Sequence, residues 1–193
     1  MSETLVAQAT IRPANAALGA DVIGVNLQAP SVADMDTIRR ALRDHLVIRL
    51  RGYTLDDVEF TRLAERFGDL EGSPEFSRSR DVYVAESPKM TVVSNVTKDG
   101  APVGDHGDGE LNWHTDQGFV DRPSGYTFLL AREVPPTGGN TSFANMYNAY
   151  ERLPEAVRKT IARLRIKHQE SHCLLYTSPS PRDRTRSRMP SSA

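Results

Sequence analysis

Residues 112–119, NWHTDQGF, lie near the middle of the chain and are its most informative segment. This segment carries a histidine and a carboxylate two residues apart, His114 and Asp116. On an extended strand, residues i and i+2 point to the same face, so these side chains can converge on one ion, whereas on a helix they would diverge. The pattern therefore predicts two of the ligands of a metal site.

Two imidazoles and one carboxylate form the facial triad of non-haem iron(II) oxygenases, which leaves coordination positions open for a co-substrate and oxygen. His114 and Asp116 would supply one imidazole and the carboxylate. The spacing alone is also typical of an ordinary polar pair on a half-buried strand, so it does not decide between the two interpretations. On such a strand Trp113 would face away from the metal, which predicts a core position for its ring.

Ordered blocks of sequence on both sides of this stretch resemble the taurine dioxygenase (TauD/TfdA) family of iron(II)- and 2-oxoglutarate-dependent oxygenases. The blocks are LGADVIGVNL at 18–27, LVIRLR at 46–51, AERFGDL at 64–70, RP at 122–123, AREVPPTGGNT at 131–141 and AYE at 149–151. The resemblance implies an α+β fold, a double-stranded β-helix (jelly-roll, cupin-like) with flanking helices. It also implies Fe(II) as cofactor, with 2-oxoglutarate and O2 as co-substrates.

The same resemblance assigns roles to three residues by direct motif match. His114 and Asp116 would be iron ligands and hence catalytic, and Thr141 would help to bind the distal carboxylate of 2-oxoglutarate. The distal histidine ligand and the arginine that pairs with 2-oxoglutarate lie beyond the end of this chain in the family pattern. His168 and His172 are alternative third ligands, but neither stands at the family's ligand position.

The reaction implied by the family is hydroxylation of a small, anionic organic molecule, with release of succinate and CO2. The taurine branch uses a histidine before a proline and a tyrosine after it to hold the sulfonate, whereas this chain has Ser73 and Phe76 in that stretch. The difference argues against taurine and leaves phenoxyalkanoates, other sulfonates, sulfate esters and betaine-like acids open. Full-length relatives are expected to be homo-oligomeric.

The family resemblance stops at His172. Residues 173–183, CLLYTSPSPRD, match the translation of a transposase-type sequencing adapter, and residues 187–193, SRMPSSA, match its far end in the same reading frame. We interpret residues 173–193 as a non-native, disordered tail. Residues 1–172 are then the N-terminal portion of a TauD/TfdA-like domain whose C-terminal half is missing, and the fold is incomplete.

The tail also has a second interpretation, because its four arginines alternate with serine and proline. Such a segment is typical of a disordered basic arm that binds nucleic acid or a membrane surface. Without the tail, residues 1–172 carry a net charge of −4 against −1 for the whole chain. This part is mildly acidic and has no excess of basic residues, so the sequence predicts neither a nucleic-acid partner nor a membrane partner.

Cysteine usage and hydropathy indicate the cellular compartment and the kinds of metal ligand that are available. The only cysteine, Cys173, lies in the tail, so residues 1–172 offer no thiol for a disulfide or a thiolate metal site. The first residues, MSET at 1–4, do not form the basic region followed by an apolar run that is typical of a signal peptide, and the sequence shows no apolar run long enough to cross a bilayer. We therefore expect a cytoplasmic protein that acts on a small molecule.

Periodicity and capping patterns predict a scaffold around the motif. Ser31 with Asp34 predicts one helix start, Thr54 with Asp57 a second, and Gly68 the end of that second helix. The remaining elements are predicted as strands at 46–50 (buried), 81–85, 90–96 and 124–134, a turn at 135–139, and helices at 148–153 and 155–164 separated by Pro154. The glycine-rich residues 98–110 suit a solvated loop or a lid over substrate.

A second hypothesis is that the 193-residue chain itself has no catalytic activity. A double-stranded β-helix closes by pairing early strands with late ones, so a chain without the late strands would expose strand edges and apolar core surface. The chain would then be an inactive fragment that lacks the third iron ligand.

Overall fold

A three-stranded sheet and a long helix form the N-terminal part of the protein. This computed structural model describes residues 9–71, 83–84, 87–106 and 113–167. Strand β1 (Thr10–Pro13) pairs antiparallel with β2 (Ala20–Ile23), and β2 pairs parallel with β3 (Ile48–Arg49). Helix α1 (Val32–His45) connects the two parallel strands and packs on the sheet. This is the crossover that a parallel pair requires.

Helix α1 begins where the sequence predicts. The Ser31 hydroxyl accepts a hydrogen bond from the Asp34 amide at 3.1 Å, while an Asp34 oxygen accepts from the Ser31 amide at 3.0 Å. This reciprocal capping box satisfies two amides that the first helical turn leaves without intrahelical partners. The face toward the sheet is buried, and its buried residues are Met35, Thr37, Ile38 and Ala41.

Helix α2 (Asp57–Glu65) begins later than predicted, so the assignment of Thr54 and Asp57 as its capping pair is wrong. Asp56 is the cap: its carboxylate accepts from the Glu59 amide at 2.7 Å, and the Glu59 carboxylate accepts from the Asp56 amide at 2.9 Å. A carboxylate cap interacts with the positive end of the helix dipole as well as with the free amides. Beyond the helix, a further turn ends at Gly68, whose φ of +141° suits glycine.

The hydrophobic core is formed by the sheet, α1, the loops on either side of α1, Leu55 before α2 and Leu63 in the C-terminal part of α2. Its buried members are Val22, Val25, Leu27, Met35, Ile38, Ala41, Leu55 and Leu63. The predicted buried strand at 46–50 is reduced to β3, in which Ile48 is only partly buried. Leu46 adopts a positive φ of +67° directly after α1 and is 37% exposed, so it does not continue β3 on its N-terminal side.

Within the described residues, six short strands follow α2 and form two-stranded sheets. They are β4 (Tyr83–Val84) with β5 (Ser87–Thr91), β6 (Val93–Ser94) with β9 (Asp105–His106), and β7 (Thr97–Lys98) with β8 (Ala101–Pro102). The strands predicted at 81–85 and 90–96 are thus found in shorter and interrupted form within the described residues. The predicted glycine-rich loop overlaps the β7–β8 hairpin, and residues 107–110 of the loop lie outside the described part.

The segment between the site motif and the C-terminal helices is irregular. No strand is described over residues 124–134, so the strand predicted there is wrong in this structure. Gly138 and Gly139 both have positive φ, as expected for the turn predicted at 135–139. Helices α3 (Met146–Glu151) and α4 (Glu155–Ile161) follow on either side of Pro154, which confirms the predicted helical pair, although α3 begins before its predicted start and α4 ends before its predicted end.

The described residues combine short strands and helices, which agrees with an α+β class. Their strands form one three-stranded and three two-stranded sheets. The double-stranded β-helix itself therefore stays a prediction. Among the helices of the described residues, none is both long and apolar enough to cross a membrane.

Candidate metal centre

The motif that contains His114 and Asp116 is not a strand in the structure. Residues 113–115 are irregular, and a turn follows from Asp116 to Phe119 with Gln117 at a left-handed φ of +52°. The prediction that the motif forms an extended strand was therefore wrong. The two side chains nevertheless meet: His114 Nε2 lies 3.2 Å from Asp116 Oδ1.

The distance between these donor atoms fits a shared metal ion. Two ligand atoms bonded to one divalent ion at about 2.1 Å, in adjacent positions at a right angle, lie about 3 Å apart. The imidazole is 53% exposed and the carboxylate 46% exposed, so an ion could reach both from solvent. An imidazole nitrogen and a carboxylate oxygen are also a suitable donor set for Fe(II).

The second oxygen of Asp116 has a partner of its own. The Thr127 hydroxyl donates a hydrogen bond to Asp116 Oδ2 at 2.6 Å. Thr127 was not predicted as a site residue, because it lies 11 residues from Asp116 in a segment predicted as a strand. The register of such a segment against the motif cannot be read from the sequence.

Thr127 lies between two aromatic residues that pack on the scaffold. The ring of Phe128 meets the rings of Phe67 and Phe60 edge to face, with centroids 5.0 and 6.5 Å apart. The ring of Tyr126 meets Phe67 in the same way at 5.3 Å. Edge-to-face contacts of this kind add stability beyond the apolar area they bury. The segment that carries Thr127 is therefore held against α2 and the turn that follows it.

Polar contacts hold the same segment at both ends. Arg132 donates to the Leu55 carbonyl at 2.6 Å and forms an ion pair with Asp57, at the start of α2. The Ser124 hydroxyl lies within hydrogen-bonding distance of both Gln117 and Glu71. The irregular chain around the candidate site thus rests on α2 through side chains rather than through a backbone ladder.

Thr141 is exposed and lies in the irregular segment that follows Gly139. Its role in binding 2-oxoglutarate stays a prediction. Trp113 is 73% exposed, so its predicted core position is wrong in this structure. Because the motif is a turn rather than an alternating strand, nothing directs the ring inward.

A third ligand is not found in the part of the chain that the structure describes. No group of three or more His, Cys, Asp or Glu side chains able to hold an ion occurs there. His168 and His172 lie outside the described residues, as do Ser73 and Phe76, so the predictions made for them are not tested.

Comparison with a protein-family model identifies the class of protein. Residues 10–192 match the taurine catabolism dioxygenase TauD, TfdA family. The chain therefore belongs to this family, whose members are 2-oxoglutarate-dependent, Fe(II)-using dioxygenases. The matched range runs through most of the C-terminal tail, so the interpretation of residues 173–193 as non-native stays a prediction.

Two curated relatives illustrate the similarity. Pentalenolactone F synthase of Streptomyces arenae is 36% identical over 157 residues, which are 79% of this chain and 51% of that protein. The α-ketoglutarate-dependent 2,4-dichlorophenoxyacetate dioxygenase of Burkholderia sp. (strain RASC) is 31% identical, over 75% of this chain and 50% of that protein. The chain thus spans about half the length of the curated relatives it matches.

A solved structure supports the same relationship at the level of the fold. The crystal structure of AAD-2 in complex with Mn(II) and N-oxalylglycine superposes with a TM-score of 0.59 at 26% identity. The match covers 79% of this chain and 54% of that one.

Proposed function

We propose that this chain carries the iron-binding motif of a dioxygenase that uses 2-oxoglutarate and O2 to hydroxylate a small, anionic organic substrate, with release of succinate and CO2. The observation that supports this most directly is the 3.2 Å approach of His114 Nε2 to Asp116 Oδ1. The pair lies within the family match and has the donor chemistry that Fe(II) requires.

Each residue has a distinct task in this proposal. His114 and Asp116 hold the ion through one nitrogen and one oxygen, and Thr141 binds the distal carboxylate of 2-oxoglutarate. The bound iron supplies the activation of oxygen, which no amino-acid side chain can perform. The protein orients the reactants and decides which substrate carbon is attacked.

The anionic substrate class is supported by a relative. The Burkholderia enzyme is named for 2,4-dichlorophenoxyacetate, which is a carboxylate. Taurine is not proposed, because the sequence has Ser73 and Phe76 where the taurine branch has an imidazole and a phenol. Phenoxyalkanoates, alkyl sulfonates and sulfate esters form the panel to test.

The proposal extends to the complete protein. In this proposal the complete domain forms a double-stranded β-helix and assembles as a homo-oligomer in the cytoplasm. Residues 173–193 contribute nothing to folding or activity. The mixed strands and helices of the described part and the similarity to AAD-2 support this fold.

A metal titration tests the iron site in this chain. Co(II) is a suitable probe, because its visible absorption reports ligation by protein donors. We expect saturable Co(II) binding that is lost in the His114→Ala and Asp116→Ala variants. The matched control is His45→Ala, which removes an imidazole at the end of α1. Equal binding by the parent chain and His114→Ala would contradict the proposal.

An activity assay tests the reaction. The chain is incubated with Fe(II), 2-oxoglutarate, O2 and each member of the substrate panel, and succinate is quantified. We expect succinate that depends on oxygen and is absent in His114→Ala. Succinate formation that persists in that variant would rule out the assigned ligand.

A second candidate is that the 193-residue chain is an inactive fragment. The observation that favours it is the finding of only two converging ligands among the described residues. Two protein donors bind an ion weakly and three bind it tightly. Weak Co(II) binding without succinate would select this candidate, whereas turnover would exclude it.

A further inference from the structure

The two carboxylate oxygens of Asp116 have separate partners. Oδ1 lies 3.2 Å from His114 Nε2, and Oδ2 accepts a hydrogen bond from the Thr127 hydroxyl at 2.6 Å. An O–H donor bonded to a carboxylate at this distance forms one of the stronger hydrogen bonds found in proteins. The contact at Oδ2 therefore restrains the direction in which Oδ1 points.

Packing cannot provide this restraint by itself. The Asp116 side chain is 46% exposed and follows an irregular segment, so water surrounds much of the carboxylate. An aspartate in such a place samples several staggered positions about its Cα–Cβ bond. Only some of them place an oxygen beside His114.

Thr127 is itself well held. Its neighbours Tyr126 and Phe128 both pack edge to face on Phe67, and Arg132 fixes the segment to the start of α2. Threonine is also restricted about χ1, because its β-carbon is branched. The hydroxyl is thus presented from a stiff side chain on an anchored segment.

We propose that Thr127 is a positioning residue for the iron site: by binding Oδ2 it turns Oδ1 toward His114 and keeps the carboxylate a one-oxygen ligand. This inference rests on the proposed function. A carboxylate that binds through one oxygen leaves one more coordination position open than a carboxylate that binds through both. Groups that orient a metal ligand in this way are worth about 10- to 100-fold in metal affinity.

The test compares Co(II) affinity in two variants. Thr127→Val keeps the shape of the side chain and removes the hydroxyl, and we expect its affinity to fall by about 10- to 100-fold. Thr127→Ser keeps the hydroxyl and should restore most of the affinity. The matched control is Thr160→Val, whose hydroxyl only bonds the Ala156 carbonyl within α4. Unchanged Co(II) affinity in Thr127→Val would overturn the inference.

A measurement without metal separates this inference from the proposed function. Three-bond couplings between the backbone and the Asp116 carboxyl carbon report which staggered position the side chain occupies. We expect one position in the parent chain and averaged couplings in Thr127→Val, with recovery in Thr127→Ser. Identical couplings in all three proteins would overturn the positioning role. Averaged couplings together with no Co(II) binding by the parent chain would instead overturn the proposed iron site.

Discussion

At the scale of single residues, Asp21 lies beside a group of arginines on the N-terminal sheet. Arg49 donates to both of its oxygens, at 2.8 and 3.1 Å, and Arg51 approaches at 3.7 Å. The hydrogen bonds from Arg49, with the charges of Arg49, Arg51 and Arg12, lower the pKa of Asp21 below 3.8. A forked arginine pair of this geometry favours the charged carboxylate.

The lowered pKa gives a stability prediction with a definite sign. Because the pKa is lower in the folded state, the pair stabilises the protein above pH 3.8, and the contribution is lost as the pH falls through the folded-state pKa. We expect Asp21→Asn to lower the free energy of unfolding at neutral pH, and the difference from the parent chain to shrink below pH 3.8. Urea unfolding at several pH values measures it.

The control for this prediction is Asp36→Asn. Asp36 lies 3.9 Å from Arg39 on the exposed face of α1 and receives no forked pair. A difference between Asp21→Asn and the parent chain that is constant at every pH would contradict the prediction.

The residues of the candidate site could be predicted from the sequence more easily than their surroundings. His114 and Asp116 stand out by residue type and spacing, and both lie within the TauD/TfdA match. Thr127 could not be predicted, because its role depends on how a distant, irregular segment packs. The exposure of Trp113 was missed for the same reason, since the sequence did not predict the turn at Gln117.

At the scale of elements, Arg132 anchors the irregular segment to α2. It donates to the Leu55 carbonyl and pairs with Asp57. We expect Arg132→Ala to reduce the free energy of unfolding by about 1–3 kcal/mol, because it removes charge-assisted hydrogen bonds and leaves a partly buried carbonyl without its partner. Arg132→Lys should recover part of this loss, since it can keep one contact. Urea unfolding of both variants checks the order, and an unchanged Arg132→Ala would contradict it.

Gly104 is required by the close approach of two chain segments. A β-carbon at this position would lie 2.7 Å from the Val92 carbonyl oxygen and 2.8 Å from the Ser94 amide nitrogen. Both atoms belong to the backbone, so the pairing of β6 with β9 would have to shift. We expect Gly104→Ala to cost about 1–3 kcal/mol in unfolding free energy, as for other overpacked sites.

The matched control for this substitution is Gly125→Ala. A β-carbon on Gly125 would meet no atom within 4 Å, and its backbone is not left-handed. Equal midpoints of urea unfolding for the two alanine variants would show that the close approach at Gly104 does not matter.

The helices show which local sequence patterns are sufficient to predict where a helix begins. The Ser31–Asp34 capping box predicted α1 correctly, because both partners and an apolar face follow at the right spacing. For α2 the predicted box, Thr54 with Asp57, lies two residues before the box that the structure uses, Asp56 with Glu59, so the local pattern placed the helix but not its first residue. Residues 124–134 are rich in aromatic and aliphatic side chains, as strands are, but strand formation also needs a partner, and the described residues provide none there.

At the scale of the whole molecule, the core and the C-terminal helices differ in how much of their apolar surface is buried. The core residues lie between Val22 and Leu63, whereas α3 and α4 contain no buried residue. A hydrogen bond from Asn145 to the Ala17 carbonyl, 2.8 Å long, links the start of α3 to the sheet region. Many large apolar side chains beyond residue 112 are more than half exposed, among them Leu129, Val134, Met146, Tyr147 and Ile166.

This difference predicts uneven hydrogen exchange. Helices of six and seven residues are marginal without packing, so the amides of α3 and α4 should exchange much faster than those of α1. Mass spectrometry of peptides from each helix measures the rates. Similar protection in α1 and α4 would show that the C-terminal helices are covered in solution.

Phe67 has a consequence for how the protein responds to heat. Its ring contacts Tyr126 and Phe128 on the side of the metal motif, while the Arg39 guanidinium of α1 lies 5.7 Å from its centre. A single aromatic side chain therefore joins the most deeply buried helix to the segment that carries Thr127. Warming that frees this ring should disorder the ligand pair and the scaffold in the same step, although surface loops ordinarily melt first.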